Sequence, residues 1–341
     1  MTREEIKLRQ LANQHLTVPT GYETVVRDLC GVQAQFMSNA LYAIRIRSND
    51  FNETDVSTLV KSWTLRGTMH VFHQDDLPLF LHEGRSRPLR PCDTLEADEA
   101  VTKERKQFFA DLIVKSIAAG VNTREELKEV CTTAGMTQAE AESIFNSWGG
   151  TIRALCERGR IAHVVQEKKA FALCPPFEPM QRDAARLEMA RRYFSHFGPA
   201  TIRDAAYFFG TTQAEVKGWL DRLPLSSSDC EGRTYYWIET GAESAAVMPE
   251  CIFLAGFDQL LLGYQKSESI YLPPEHLRGI FNLAGIVMPA VLLRGRVIGK
   301  WKQMGKKVSV TLFETVGETD RNAMQETAAR LWPDLKSVVF G

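Results

Sequence analysis

A pattern of capped helices occurs twice in the middle of the chain, and it restricts the possible folds more than any other feature. One copy reads G-V-N-T-R-E-E-L-K-E-V from Gly120, then G-M-T-Q-A-E-A-E from Gly135. The other reads G-P-A-T-I-R-D-A-A-Y-F-F from Gly198, then G-T-T-Q-A-E-V-K from Gly210. Thr123 with Glu126, Thr137 with Glu140 and Thr212 with Glu215 match the S/T-x-x-E capping box, and Thr201 with Asp204 is a shorter-armed version. In such a box the hydroxyl accepts from the third helical N–H while the carboxylate reaches back to the cap N–H. The glycine before each copy is expected to end the preceding helix in a left-handed residue. Two short helices joined this way form a helix-turn-helix.

Flanking segments extend the unit. Phe108, Leu112, Ile113 and Ile117 are placed on one face of a helix before the first copy; Ala185, Met189, Tyr193 and Phe197 do the same before the second. A hairpin is expected after each: strands at 161–165 and 170–173 around Glu167-Lys168-Lys169, and a strand at 234–238. Helix, helix-turn-helix and hairpin together describe a winged helix. The fold class is therefore mainly α with β-hairpin wings (α+β): tandem winged-helix modules followed by a β-rich C-terminal domain. The modules are placed at 103–178 and 181–243, with a divergent module at 1–102 and an α+β domain at 245–341. In the first of these, helices are expected at 6–14, 22–30 and 36–46, and a strand pair over 61–72 turning at Gly67. In the last, Arg294-Gly295-Arg296 turns a hairpin between 287–293 and 297–301, a strand follows at 308–313 and a helix at 321–331.

A chain of 341 residues suits about two to four such modules. Its longest apolar run, 286–293, is far short of a membrane span. The charged N-terminus has no signal-peptide core. A cytoplasmic, nucleoid-associated and monomeric protein is expected, with double-stranded DNA as partner and no membrane. The net charge of −1 means that any DNA-facing surface must be local. Basic clusters exist at Arg85, Arg87 and Arg90, at Arg182, Arg186, Arg191 and Arg192, and at Lys300, Lys302, Lys306 and Lys307. Taken singly, each reads first as a solvated face. The seven cysteines show no CxxC pair, and the seven histidines no metal-ligand spacing, so no metal and no cofactor is expected. P-loop, GxGxxG, GxSxG and HExxH motifs are absent.

Two glutamines, Gln33 and Gln35, flank one small residue in the apolar stretch 31–36. On spacing alone they read as amides satisfying nearby backbone. Together with Leu65-Arg66-Gly67-Thr68-Met69-His70, Gly198-Pro199-Ala200-Thr201 and Gly299-Lys300-Trp301, however, the segment resembles the winged-helix DNA glycosylase superfamily, in its AlkZ-like, Gln-x-Gln branch. The resemblance runs from about residue 6 to 335. It implies a C-shaped array of three winged helices plus a β-rich element, and excision of alkylated purines, crosslinked ones included. The catalytic Gln-x-Gln falls on Gln33 and Gln35.

An amide is no strong base, but its carbonyl can hold and orient water. That suffices when the leaving base is already cationic, as N7-alkylguanine is. The function expected is thus a monofunctional DNA glycosylase in which water attacks C1′. The alternative is a non-catalytic winged-helix DNA-binding or regulatory protein. His70 is assigned to DNA contact or, more simply, to a structural imidazole. Arg66 is left open between a phosphate and an acid such as Asp28. Lys168, Lys169, Arg294 and Arg296 sit at basic hairpin tips suited to the DNA backbone. Asp258 reads as a structural cap.

Overall fold

A computed structural model describes the chain apart from residues 55, 84–92, 148, 167–168 and 242–246. The expected basic residues Arg85, Arg87, Arg90 and Lys168, and Cys92, lie outside the described residues. The architecture is mixed α+β, with helices and antiparallel sheets interleaved along the chain. No helix among the described residues is long and apolar enough to cross a membrane. The chain groups into two compact units, one continuous (Thr54–Glu188) and one discontinuous (Met1–Glu53 with Met189–Gly341).

In the continuous unit, Leu59–Trp63 and Met69–His73 form the expected antiparallel pair, with Trp63 opposite Met69. Leu59–Trp63 also pairs with Ile161–His163, which pairs in turn with Phe171–Leu173. The first capped repeat follows the sequence closely. Thr102 caps the helix Lys103–Ala118, and full capping boxes start Arg124–Thr133 at Thr123 and Gln138–Ile144 at Thr137. Gly120 and Gly135 take φ of +92° and +86°. A further helix, Gly150–Glu157, not expected from the sequence, precedes the hairpin.

On Lys103–Ala118, Ile113 and Ile117 are buried as expected, but Phe109 takes the place expected of Phe108. Phe108 is 49% exposed, and Phe109 is buried with Ala110, Ile113 and Ile117. Two adjacent phenylalanines leave the phase of an apolar stripe ambiguous by one residue, about 100° of helix rotation. The core it enters includes Leu127, Cys131, Ile144, Leu155, Ile161 and Phe171. Burying each large apolar side chain contributes about 1.5–3 kcal/mol.

The helix Arg182–His196 carries the chain into the discontinuous unit, and Ala185, Met189, Tyr193 and Phe197 are all buried, as expected. The second repeat follows. Thr201 and Asp204 form a complete capping box on Ile202–Phe209, whereas Thr212 accepts only the backbone N–H of Glu215. The Glu215 carboxylate is taken by the Thr211 hydroxyl instead. Gly210 is left-handed, with φ +61°, but Gly198 is not among the positive-φ residues. Space explains Gly198: a Cβ there would collide with the Phe194 carbonyl oxygen and approach Trp237 Cβ at 2.6 Å. The strand Arg233–Trp237 is as expected, while its partner Ser226–Cys230 is hidden in the sequence by three serines, which have no strong strand propensity.

Residues 251–341 build a five-stranded sheet in the order Ser337–Phe340, Lys307–Leu312, Arg296–Met304, Ala290–Leu293, Cys251–Phe253. All neighbours are antiparallel except Lys307–Leu312 with Ser337–Phe340. The register shifts between Val297 and Gly299. Gly299 has no room for a side chain, since a Cβ would come within 2.6 Å of the Thr311 carbonyl oxygen across the sheet. The helix Glu318–Leu331 covers one face, and its end places Trp332 against Trp301, Phe253 and Tyr42.

Candidate functional site

The glutamine segment is set by a sharp reversal. The helix Tyr22–Asp28 ends in Leu29, and Cys30 and Gly31 then take φ of +53° and +78°. Their N–H groups donate to Arg27 O and Val26 O. The chain runs extended through Val32–Gln33 and turns into the helix Met37–Arg45 at Phe36. Val32 and Ala34 are fully buried and anchor it. From behind, Gln259 Nε2 donates to Gly31 O at 2.8 Å, and Cys30 Sγ meets Met189 O at 3.7 Å.

The two glutamines meet different surroundings. Gln33 is 7% exposed, whereas Gln35 is exposed to solvent. Beside Gln35 stands Phe36, 48% exposed, its ring 5.8 Å from that of buried Phe257. One amide is thus held by the protein interior and the other is presented outward next to an aromatic face.

Helix Gln259–Leu262, which supplies Gln259, is itself fixed at its start. Asp258 caps it by accepting from Leu260 N at 2.9 Å, as the sequence suggests. Asp258 also holds Arg47 through two hydrogen bonds, of 3.1 and 2.7 Å, with both side chains 0% exposed.

The remaining expected residues fall into several environments. Arg66 is half-buried at the tip of the hairpin in the continuous unit, in a left-handed conformation with φ +53°. His70 is 1% exposed, with Nδ1 3.2 Å from Thr68 O, the setting of a structural imidazole. Lys169 is exposed. Arg294 is bracketed by Glu250 at 2.7 Å and Asp320 at 2.5 Å. Arg296 is bracketed by Glu314 at 3.1 Å and Glu275 at 3.6 Å. These carboxylates raise both arginine pKa values and neutralise the tip that the sequence marks as basic. The neighbouring hairpin, Arg296–Met304 with Lys307–Leu312, has a different tip: Lys302, Met304, Lys306 and Lys307 are all exposed.

Asp28, five residues before Gln33, lies between two imidazoles, with His15 Nε2 at 2.8 Å from Oδ2 and His196 Nε2 at 3.2 Å from Oδ1. No sequence spacing announces this group, because its members sit at positions 15, 28 and 196.

Similarity to known proteins extends over nearly the whole chain. The family model described as DNA glycosylase AlkZ-like matches residues 26–332, a stretch that includes both glutamines. A curated relative, the interstrand DNA cross-link repair glycosylase of Streptomyces sahachiroi, is 26% identical over 339 residues, covering 92% of this chain and 91% of the relative. The solved structure of the Streptomyces sahachiroi DNA glycosylase AlkZ matches with a TM-score of 0.79 and 23% identity, over 100% of this chain and 99% of that one.

Proposed function

The chain belongs to the AlkZ-like DNA glycosylase family, and from that premise we propose that it excises cationic alkylated purines of the N7-alkylguanine type, crosslinked ones included, without lyase chemistry. The observation that carries this reading is the split pair of amides. Gln35 stands at the surface, where a deoxyribose can reach it, and Gln33, two residues before it, is 7% exposed. In this mechanism the amide carbonyls hold and orient the attacking water on C1′. The glycosidic bond breaks toward an oxocarbenium-like sugar, the cationic base departs as a neutral purine with the bonding electron pair, and the water that adds at C1′ gives up one proton to solvent. No strong general base is required, because the leaving group carries its activation with it.

The winged-helix organisation is part of the same proposal. In the first repeat, Phe171 N donates to Asn122 O, and Thr123 bridges Ala170. In the second, Ala200 and Tyr236 exchange both backbone hydrogen bonds. The residue at or just before each threonine cap is thus stitched to the following hairpin, as in a winged helix. On this reading the modules are 1–102, 103–178 and 181–243, with 245–341 as the C-terminal domain. DNA backbone contact falls to Arg66, Lys168 and Lys169 and to the exposed tip Lys302, Lys306 and Lys307. Arg294, Arg296 and His70 serve the fold, on account of their carboxylate partners and burial. The chain acts as a monomer.

The test is base release from duplex DNA containing N7-methylguanine under single-turnover conditions, with wild type and the Gln33→Ala/Gln35→Ala double variant. Release by wild type and its loss in the variant, at similar DNA affinity, is the expected outcome. Uracil removed as fast as N7-methylguanine would overturn the leaving-group argument, and no release at all would favour a DNA-binding protein without catalysis.

A further inference from the structure

His15, Asp28 and His196 bring two imidazole nitrogens and one carboxylate to one place, and we infer that they form a zinc-class divalent-metal site that ties together three chain segments behind the glutamine strand. The three donor atoms lie within 4.8 Å of one another. Zinc at about 2.0–2.1 Å from each ligand needs donors separated by about 3.3 Å in a tetrahedral sphere. His15 Nε2 lies 2.8 Å from Oδ2 and His196 Nε2 3.2 Å from Oδ1, so the imidazoles address different oxygens of one carboxylate, and bringing one oxygen and both nitrogens to that spacing takes side-chain rotations of up to about 1.5 Å. The side chains are only 12%, 20% and 16% exposed, so the site is sheltered.

The proton inventory points the same way. His196 Nδ1 lies 3.2 Å from Asn13 O while Nε2 lies 3.2 Å from Asp28 Oδ1. A neutral imidazole carries one N–H for these two acceptors. With Nδ1–H on the Asn13 carbonyl, Nε2 turns a lone pair toward a carboxylate oxygen. A cation between them converts this repulsion into two coordinate bonds. The Asn13 contact is then the outer hydrogen bond that metal-bound imidazoles usually make. Two imidazoles and one carboxylate suit zinc better than calcium or magnesium, which prefer all-oxygen spheres. The positive charge of Arg191, on the same helix as His196, works against a bound cation.

The three ligands mark the exit of helix Arg3–Asn13, the last residue of Tyr22–Asp28 and the last residue of Arg182–His196. Metal there fixes the reversal at Cys30 and Gly31 that aims the glutamines. The inference stands apart from base excision, because its readout is binding.

The experiment is titration of the full-length, chelator-treated protein with Co²⁺ and with Zn²⁺. One equivalent of Co²⁺ should produce ligand-field bands of nitrogen and oxygen coordination, displaced by Zn²⁺. Zinc at about a hundredfold over its Kd should raise the melting midpoint by roughly 4 °C. Asp28→Asn and His196→Ala should each lose at least tenfold in Co²⁺ affinity. Folded wild-type protein that takes up no Co²⁺ overturns the inference whatever the variants do. So does a thiolate-to-cobalt charge-transfer band, which would assign the metal to cysteines, or unchanged binding in the variants.

Discussion

Arg47 and Asp258 face each other with two hydrogen bonds in an environment from which water is fully excluded. Arg47 also donates to Gln14 O and Ala43 O, and Asp258 accepts from Ala255 N and Leu260 N. Removing one partner leaves a buried charge uncompensated, at a cost of about 3–5 kcal/mol. Asp258→Ala should therefore lower stability by that amount in urea unfolding. The double substitution Arg47→Met/Asp258→Leu should recover a substantial part of it.

Acid stability of the continuous unit follows from three groups. Burial lowers the His163 pKa to about 3, with Lys61, Lys169 and Arg124 adding to the effect. The Arg105 guanidinium lowers Glu140 to about 2, and Asp98 reaches about 2 because hydrogen bonds from Lys106 and Ser143 outweigh its partial burial. In each case the unfolded chain binds the proton first, so stability falls as pH falls. The His163 contribution declines from about pH 6.5 toward 3, and the carboxylate contributions from about pH 4.5 toward 2. His163→Gln should flatten the stability profile between pH 6.5 and 4.5 in chemical denaturation, leaving the steeper loss below it. A profile identical to wild type in that window would contradict the assignment.

The two glutamines should separate on mutation. Gln35→Ala alters an exposed side chain, so its melting temperature should stay within about a degree while single-turnover release from N7-methylguanine DNA falls at least a hundredfold. Gln33→Ala empties a buried polar position and should also cost about 1–3 kcal/mol of stability. Equal thermal effects from both would contradict their difference in exposure.

DNA affinity should depend on the lysine-tipped hairpin. The slope of log K against log salt falls by about 0.9 for every phosphate that a lysine no longer neutralises. Lys302→Ala/Lys306→Ala/Lys307→Ala should reduce it by about 2–3. Arg294→Ala should leave the slope nearly unchanged, because Glu250 and Asp320 already neutralise that residue.

What can be read from the sequence is local. Capping at Thr123, Thr137, Thr201 and Thr212 works over three residues, and the 59–73 hairpin over a handful, so both are visible. The strand Ser337–Phe340 is not, because it depends on a parallel partner about thirty residues upstream. On Lys103–Ala118 the sequence places Ile113 and Ile117 correctly but not which of Phe108 and Phe109 turns inward. For the site, the type of residue at Gln33 and Gln35 is legible, but their opposite exposures are not. The acids beside Arg294 and Arg296 come from positions 250, 275, 314 and 320, and no spacing rule reports them.

The split of one unit between Met1–Glu53 and Met189–Gly341 also has a consequence for how the protein is made. Phe257 and Gln259, which sit against the glutamine segment, and Trp332, which stacks on Tyr42 of the following helix, are made more than two hundred residues after Gln33 and Gln35. The intervening stretch Thr54–Glu188 can close on itself first. The glutamine segment therefore has a core to lie on only once Phe257, Gln259 and Trp332 have been made. A nascent chain that has not yet reached Gln259 holds the two amides without the hydrogen bond that Gln259 gives to Gly31 O.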